Sequence, residues 1–394
     1  MTHDEPGPDL AWPHVQPSIN AQVDPGRVRF GQRGAFYTEL KLRADAYFEG
    51  PGGQRRDMPR MYLKTATILI WFVSSWALLV FAAENAWQAA ALAISLGLSI
   101  ASVGMSVQHD ANHGAYSDRA WINRALGLTL DVMGVASFIW RQKHNVIHHT
   151  FTNIQGIDFD LDFGKIARLS PEQQLRPSHR YQHLYLWFLY GFLLPKWVFY
   201  DDFVILFGKK MGPHTLPRPS ATNIALFVGY KLFFVGWAIV VPALFHPLWQ
   251  VLVFHMVAVM TLGVTLSSAF QLAHCVGEAT FPPPAPAGKP TNDDWAAHQV
   301  ETTVDFARDS AVLTWFLGGL NFQVEHHLFP KVCHLHYAAL SRIVEEVAAK
   351  HGVRYRNNVT LRSAMSSHFR HLKKLGRSAE AGVVITPFGG EAVD

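Results

Sequence analysis

Residues 86–113 read AWQAAALAISLGLSIASVGMSVQHDANH. The part up to Val107 carries no charged side chain and is long enough to cross a bilayer, which takes about 20 apolar residues. It runs straight into two histidines, His109 and His113, spaced i, i+4. On a helix that spacing puts both imidazoles on one face, within reach of one ion. Imidazole is the commonest metal ligand near neutral pH. The stretch therefore reads as a membrane helix that ends in a metal-binding pair.

Three other runs are also long enough to cross: Tyr62–Ala83, Asn223–Val241 and Leu248–Phe270. Short links around Glu84-Asn85 and His246-Pro247 join the four runs into two pairs. Neither link carries Lys or Arg, whereas the opposite flanks carry Arg55, Arg56, Arg60 and Lys64, then Arg119, Arg124, Arg141 and Lys143, then Lys209, Lys210 and Arg218. The positive-inside rule then puts both termini and the histidines in the cytoplasm. The fold expected is an all-α, multi-pass integral membrane protein. Four transmembrane helices form two hairpins, and a cytoplasmic helical cap holds the metal site.

Composition agrees. Of 394 residues only 16% are charged, against roughly 25% in soluble domains. A net charge of +4 lacks the dense basic patch that nucleic-acid binding needs. The two cysteines, Cys275 and Cys333, form no Cys-x-x-Cys, which argues against a disulfide scaffold or a thiolate zinc site. The polar, proline-rich start has no basic-then-apolar pattern of a signal peptide.

The chain divides into an N-terminal cytoplasmic segment (1–60), a membrane domain with its cap (61–377) and a loose tail (378–394). Prolines 6, 8, 13, 17 and 25 break the first part, and Phe36–Phe48 has helical spacing suited to a surface helix. Leu126–Trp140 and Leu184–Phe199 are too short to span and hold Asp131 and Lys196, so both are read as helices at the cytoplasmic interface. Phe281–Pro286 reads as a stiff linker. Ala311–Leu320 is apolar but half a span, and Tyr337–Lys350 is an amphipathic helix for the cap.

Two further histidine clusters follow the first. His144 and His148 repeat the i, i+4 spacing, and His149 projects about 100° round the helix, so the adjacent pair can serve two ions. His326 and His327 form another adjacent pair, with Gln323 one turn before, and His274 follows the fourth run as His109 follows the second. Eight nitrogen ligands imply two ions, since zinc is satisfied by three or four. Paired imidazole-bound metals beside a membrane suggest iron and dioxygen. Copper and hydrolytic zinc are the rivals. Asp110 and Glu325, inside the clusters, are candidates to orient imidazoles. Asp158, Asp160 and Asp162 are either that or a solvated loop. The remaining histidines read as surface or packing residues. Among these, His255 falls mid-span, and His179 and His183 share the i, i+4 spacing.

The motifs HDANH (109–113), HNVIHH (144–149) and QVEHH (323–327), in this order around two membrane hairpins, closely resemble the three histidine boxes of the membrane fatty acid desaturases. The resemblance covers roughly residues 30–360. It implies that His109, His113, His144, His148, His149, His326 and His327 bind two irons, with His274 matching a further ligand by position. Relatives place an Asn four residues before that histidine. Here the position is Phe270, with Gln271 beside it as a substitute, and Gln323 stands where other branches have histidine. The third motif resembles the front-end and linoleoyl-CoA-type branch, which often carries a fused cytochrome b5 domain with His-Pro-Gly-Gly. That motif is missing from this sequence, so a separate ferredoxin, or cytochrome b5 with its reductase, is the implied electron donor.

The implied activity uses dioxygen as co-substrate to place a cis double bond in a long-chain acyl-CoA or acyl-lipid, with the chain held in a kinked apolar tunnel. A hydroxylase on the same scaffold is the alternative, differing in whether oxygen ends on the carbon. A metal transporter would carry its ligands within the spans along a pathway, and here they follow the spans.

Overall fold

The computed structural model describes residue 30, residues 34–283 and residues 294–377. The prolines at 6–25, the end of the Phe281–Pro286 linker and the tail from 378 lie outside the described residues. The helices in chain order are α1 Ala35–Glu49, α2 Pro59–Phe81, α3 Ala86–His113, α4 Ala120–Val132, α5 Ser137–Phe151, α6 Gln182–Leu189 and α7 Asp202–Gly208. They continue with α8 Ala221–Ala243, α9 Leu248–His274, α10 Trp295–Thr302, α11 Ala311–Phe316, α12 Gln323–Leu328, α13 Tyr337–Lys350 and α14 Leu361–Leu375. Among the described residues, two-residue strands pair as Lys210–Met211 antiparallel to His214–Thr215 and Asp305–Phe306 parallel to Asn357–Asn358.

Four of these helices, α2, α3, α8 and α9, are long and apolar enough to cross a membrane. They match the four runs read from the sequence, with one difference. Helices α3 and α9 do not stop where the apolar run stops but continue through His113 and His274. The helix backbone thus carries His109, His113 and His274 rigidly beyond the apolar run. Starts are set by local chemistry. The Asn85 side chain accepts from Trp87 N and Gln88 N to cap α3, and Ser220 accepts from Asn223 N to cap α8. Helices α3 and α9 pack closely because Gly97 lacks a side chain, since a Cβ there would collide with the Ala258 carbonyl oxygen.

Two expected interfacial helices take other forms. Leu126–Trp140 is broken, with α4 and α5 meeting at 111°. The break includes Gly134 at φ +86°, a conformation open to glycine and costly to other residues. The Leu184–Phe199 region is a chain of short turns from α6 through Trp197–Asp201 into α7. Over the cap, α1 is not a bare surface helix. Phe36, Leu40, Ala44 and Phe48 are buried in one cluster with Leu340, Val344 and Val347 of α13. Each such fully buried large side chain contributes ~1.5–3 kcal/mol. Glu39 clamps the outer edge of that contact, its Oε2 2.8 Å from both Lys350 Nζ and His351 Nε2.

Candidate metal centre

Two wide turns aim the first ligands. Val103–Gln108 of α3 and Gln142–His148 of α5 are π-helical, not the uninterrupted α-helix that i, i+4 spacing suggests. Such bulges add one residue to a turn and are frequent at functional sites. The turn in α3 is held open from outside by Gly318. A Cβ on that residue, which has φ +62°, would collide with the Met105 carbonyl.

All eight histidines named from the sequence are buried and meet in one place. His109, His113, His144 and His326 form one nest, with a ligand atom from each within 4.8 Å of the others. His148, His274 and His327 form a second. His149 stands between them, grouped with His326 and His327, its ring 4.3 Å from that of His327 and 4.7 Å from that of His113. Trp140 and Phe270 wall the nests, Trp140 stacked on His144 at 4.5 Å and Phe270 on His274 at 4.5 Å. Phe270, at the position where an Asn was expected, therefore supplies an apolar wall.

Six ring nitrogens here are buried with no hydrogen-bond partner: His113 Nε2, His148 Nε2, His149 Nδ1, His274 Nδ1, His326 Nε2 and His327 Nε2. Each unsatisfied buried polar atom costs ~1–3 kcal/mol. Six together reach the order of the whole net stability of a domain, ~5–15 kcal/mol. Burial holds the His326 and His327 imidazoles well below their ordinary pKa, so both stay neutral and keep a lone pair. Convergent, nitrogen-only donors fit first-row metal ions, and the donor set can hold two.

The opposite ring nitrogens are tied. His148 Nδ1 donates to Asp158 Oδ2 at 2.9 Å, and the same oxygen accepts from Asn153 N at 2.9 Å. His327 Nδ1 lies 2.9 Å from Gln299 Oε1, and His326 Nδ1 3.3 Å from the Tyr337 hydroxyl. The Asp158 and Gln299 oxygens, which only accept, fix tautomer and ring orientation, and the Tyr337 hydroxyl fixes orientation alone. Asp158 is thus a buried partner of an imidazole. Asp160 stands 3.7 Å from the same nitrogen and pairs with Lys143, while Asp162 bonds only its own loop at Gly164 N.

The two carboxylates inside the motifs serve elsewhere. Asp110 Oδ2 accepts from His334 Nδ1 at 2.8 Å, and His334 Nε2 lies 2.8 Å from Lys64 Nζ, a buried chain with no contact to the eight. Glu325 sits against Asp305 and Tyr355, and burial with the Asp305 charge pushes its carboxyl well up, so it holds the proton of that pair. Gln323 Nε2 lies 2.9 Å from His274 Nε2, and Gln323 Oε1 and Gln271 Oε1, the latter one turn before His274, have no hydrogen-bond partner.

Sequence reading missed Gln299 and Tyr337, and read as a surface or packing residue His298. The last is buried on α10, with Nε2 donating to the Thr152 carbonyl and its pKa pushed down to about 4 by burial. Their positions carried no motif. His179 and His183 are packing residues, His179 between Lys165 O and Arg176 N. His255 lines an apolar cavity of about 610 Å³ among α2, α3, α8 and α9, together with Leu96, Ile100, Met133 and Phe234. None of the eight histidines lines that cavity.

Residues 85–358 match the Fatty acid desaturase family. The sn-1 linoleoyl-lipid 6-desaturase of Arthrospira platensis is 38% identical over 360 residues, covering 91% of this chain and 97% of that protein. The protein of the same description from Synechocystis sp. is 38% identical over 354 residues, 90% of this chain and 99% of its own. The acyl-lipid (8-3)-desaturase of Physcomitrium patens is 36% identical over 348 residues, 86% and 72%.

Proposed function

This chain belongs to the fatty acid desaturase family, and we propose that its eight buried histidines hold two iron ions in the two nests. The protein is a fatty acid desaturase, an oxidoreductase that takes hydrogen from an acyl chain to leave a double bond. The observation that supports the metal reading best is the convergence of six buried, partnerless imidazole nitrogens.

When bound, iron with dioxygen supplies the oxidising power that an unactivated methylene demands and that side-chain acid–base chemistry lacks. The chain's own residues do the rest. His109, His113, His144 and His326 serve one ion, and His148, His274 and His327 the other, with His149 between them. Asp158 and Tyr337 hold ring orientation, and Gln323 and Gln271 offer oxygens at the edge of the second nest. Trp140 and Phe270 keep the site apolar on the faces they cover, which favours an acyl chain and keeps water out.

The substrate in this reading is a long-chain acyl lipid rather than an acyl-CoA, as in the names of the three relatives, and the bond is cis, placed at carbon 6 as in the first two. A separate ferredoxin, or cytochrome b5 with its reductase, delivers electrons. Residues 61–377 act as one membrane domain with a cap. Helices α2–α3 and α8–α9 form two hairpins, and the basic flanks favour both termini and the centre on the cytoplasmic side.

The test is a bacterial host making this chain with a ferredoxin and its reductase, fed linoleate. Acyl chains of each lipid class are profiled by gas chromatography and mass spectrometry. A new cis double bond in membrane acyl lipids is the expected result. A product heavier by one oxygen overturns desaturation, and conversion confined to acyl-CoA overturns the substrate.

A further inference from the structure

Helix α10 brings Gln299, a fully buried residue, to the back of the second nest. Its Oε1 lies 2.9 Å from His327 Nδ1 and 2.8 Å from Thr152 Oγ1. Thr152 Oγ1 is in turn 3.1 Å from His327 Nδ1 and 2.7 Å from the His148 carbonyl. The amide nitrogen of Gln299 has no partner, although it is buried. One end of this side chain is used and the other is not.

That asymmetry has a chemical meaning. A neutral imidazole carries its proton on one nitrogen only. A carbonyl oxygen can only accept, so Oε1 draws the His327 proton to Nδ1 and leaves the lone pair on Nε2. Nε2 is the nitrogen without a hydrogen-bond partner, and the second nest is where His327 meets His148 and His274. The Thr152 hydroxyl does not select a tautomer by itself, because a hydroxyl both donates and accepts. Its single proton serves the two oxygens it faces, the His148 carbonyl and Gln299 Oε1. An N–H in place of Oε1 would force the proton to Nε2 and turn a donor toward the nest. The α10 backbone is pinned on both sides of Gln299. His298 Nε2 donates to the Thr152 carbonyl at 2.9 Å, and the Thr303 hydroxyl donates to the Gln299 carbonyl at 2.6 Å.

We infer that Gln299 is the positioning residue that locks His327 as a ligand, and that it acts on the second nest alone. The inference rests on the proposed two-iron centre and adds to it an outer partner with a chemically specified end. Asp158 does for His148 with a carboxylate what Gln299 does for His327 with an amide oxygen. Loss of such an outer partner costs ~10–100-fold in metal affinity.

The experiment uses the full-length protein in detergent, loaded anaerobically with ferrous iron. Iron per chain and its retention against a chelator are measured, with circular dichroism to confirm folding. Wild type, Gln299→Leu and Gln299→Glu are compared. Gln299→Leu is expected to keep one iron as tightly as wild type and to hold the second ~10–100-fold more weakly. Gln299→Glu, which keeps an acceptor and loses only the idle NH2, is expected to hold both. Two tightly held irons in Gln299→Leu, or loss of one in Gln299→Glu, overturn the inference and leave the centre standing. A wild-type chain that takes up no iron overturns both. Should Gln299→Leu not fold, Gln299→Glu decides alone, by the same two outcomes.

Discussion

Asp158 and His148 meet at 2.9 Å with both side chains fully out of solvent. The carboxylate is pinned further by the backbone N–H of Asn153 on that same Oδ2 and by the backbone N–H of Asp160 on Oδ1. The imidazole has no freedom to turn, and its Nε2 is left pointing at other imidazoles. Replacing Asp158 by Ala should therefore weaken iron binding or turnover by ~10–100-fold. Asp158→Asn, which can still accept through its amide oxygen, should lose less. Iron content and product yield measured side by side check this, and equal losses in the two variants would refute the orientation argument.

His148→Ala should abolish the unsaturated product while the chain still inserts in the membrane. His183→Ala, a packing residue against Phe369, should keep iron and product near wild-type levels. Full activity in the first variant, or none in a folded second one, would show that the centre has been drawn around the wrong residues.

Metal removal should soften the fold as well as silence it. With six imidazole nitrogens left without partners, the apo chain loses the binding free energy that linkage adds to the native state. A thermal melt with and without chelator should show a lower midpoint for the stripped protein, recovered on adding ferrous iron. Identical melts from samples of proven iron content would contradict the buried-ligand reading.

Acid should loosen the docking of α14. His368 donates from Nδ1 to the Cys275 carbonyl at 2.6 Å and accepts the Tyr190 hydroxyl on Nε2 at 2.8 Å. Burial pushes both His368 and His371 down to about 4. The folded values lie below the unfolded value of about 6.5. The unfolded chain therefore takes up protons first, and stability present above pH 6.5 is lost as pH falls toward 4. The loss is on the order of a few kcal/mol for the pair. Melts of the iron-free protein between pH 7 and pH 4 should fall less steeply in His368→Gln. A slope unchanged by that substitution would count against the assignment.

Closing the Gly97 gap should be costly. A Cβ there meets the Ala258 carbonyl across the α3–α9 contact, so Gly97→Val should destabilise by ~1–3 kcal/mol or more. Gly229→Ala, where nothing stands within 4 Å, is the control and should melt as wild type.

Much of this was legible in the chain. Four apolar runs announced four long helices, because crossing a bilayer demands length and leaves few alternatives. The i, i+4 histidines announced the centre. The missing parts depend on long-range placement. Asp158 looked equally like a loop residue, and only the folded chain tucks it behind His148. Asp110, beside His109 in sequence, turns to His334 instead, since neighbours on a helix face different ways. Gln299 lies beyond a proline-rich stretch with no pattern to mark it. The two π-turns are a matter of backbone register, to which side-chain identity gives little clue.

Those turns set a limit on how the gene can change. The first adds a residue just before His109 and His113 and the second among His144 and His148, so a one-codon deletion in 103–108 or 142–148 would let the wide turn relax to an ordinary one. Every side chain on one side of the cut would then rotate by about 100° relative to the other. Substitutions there perturb one contact at a time, whereas a deletion swings a whole ligand face out of phase. Natural and engineered variation in these segments should therefore tolerate changes of residue at positions other than His144 and His148 and reject changes of length.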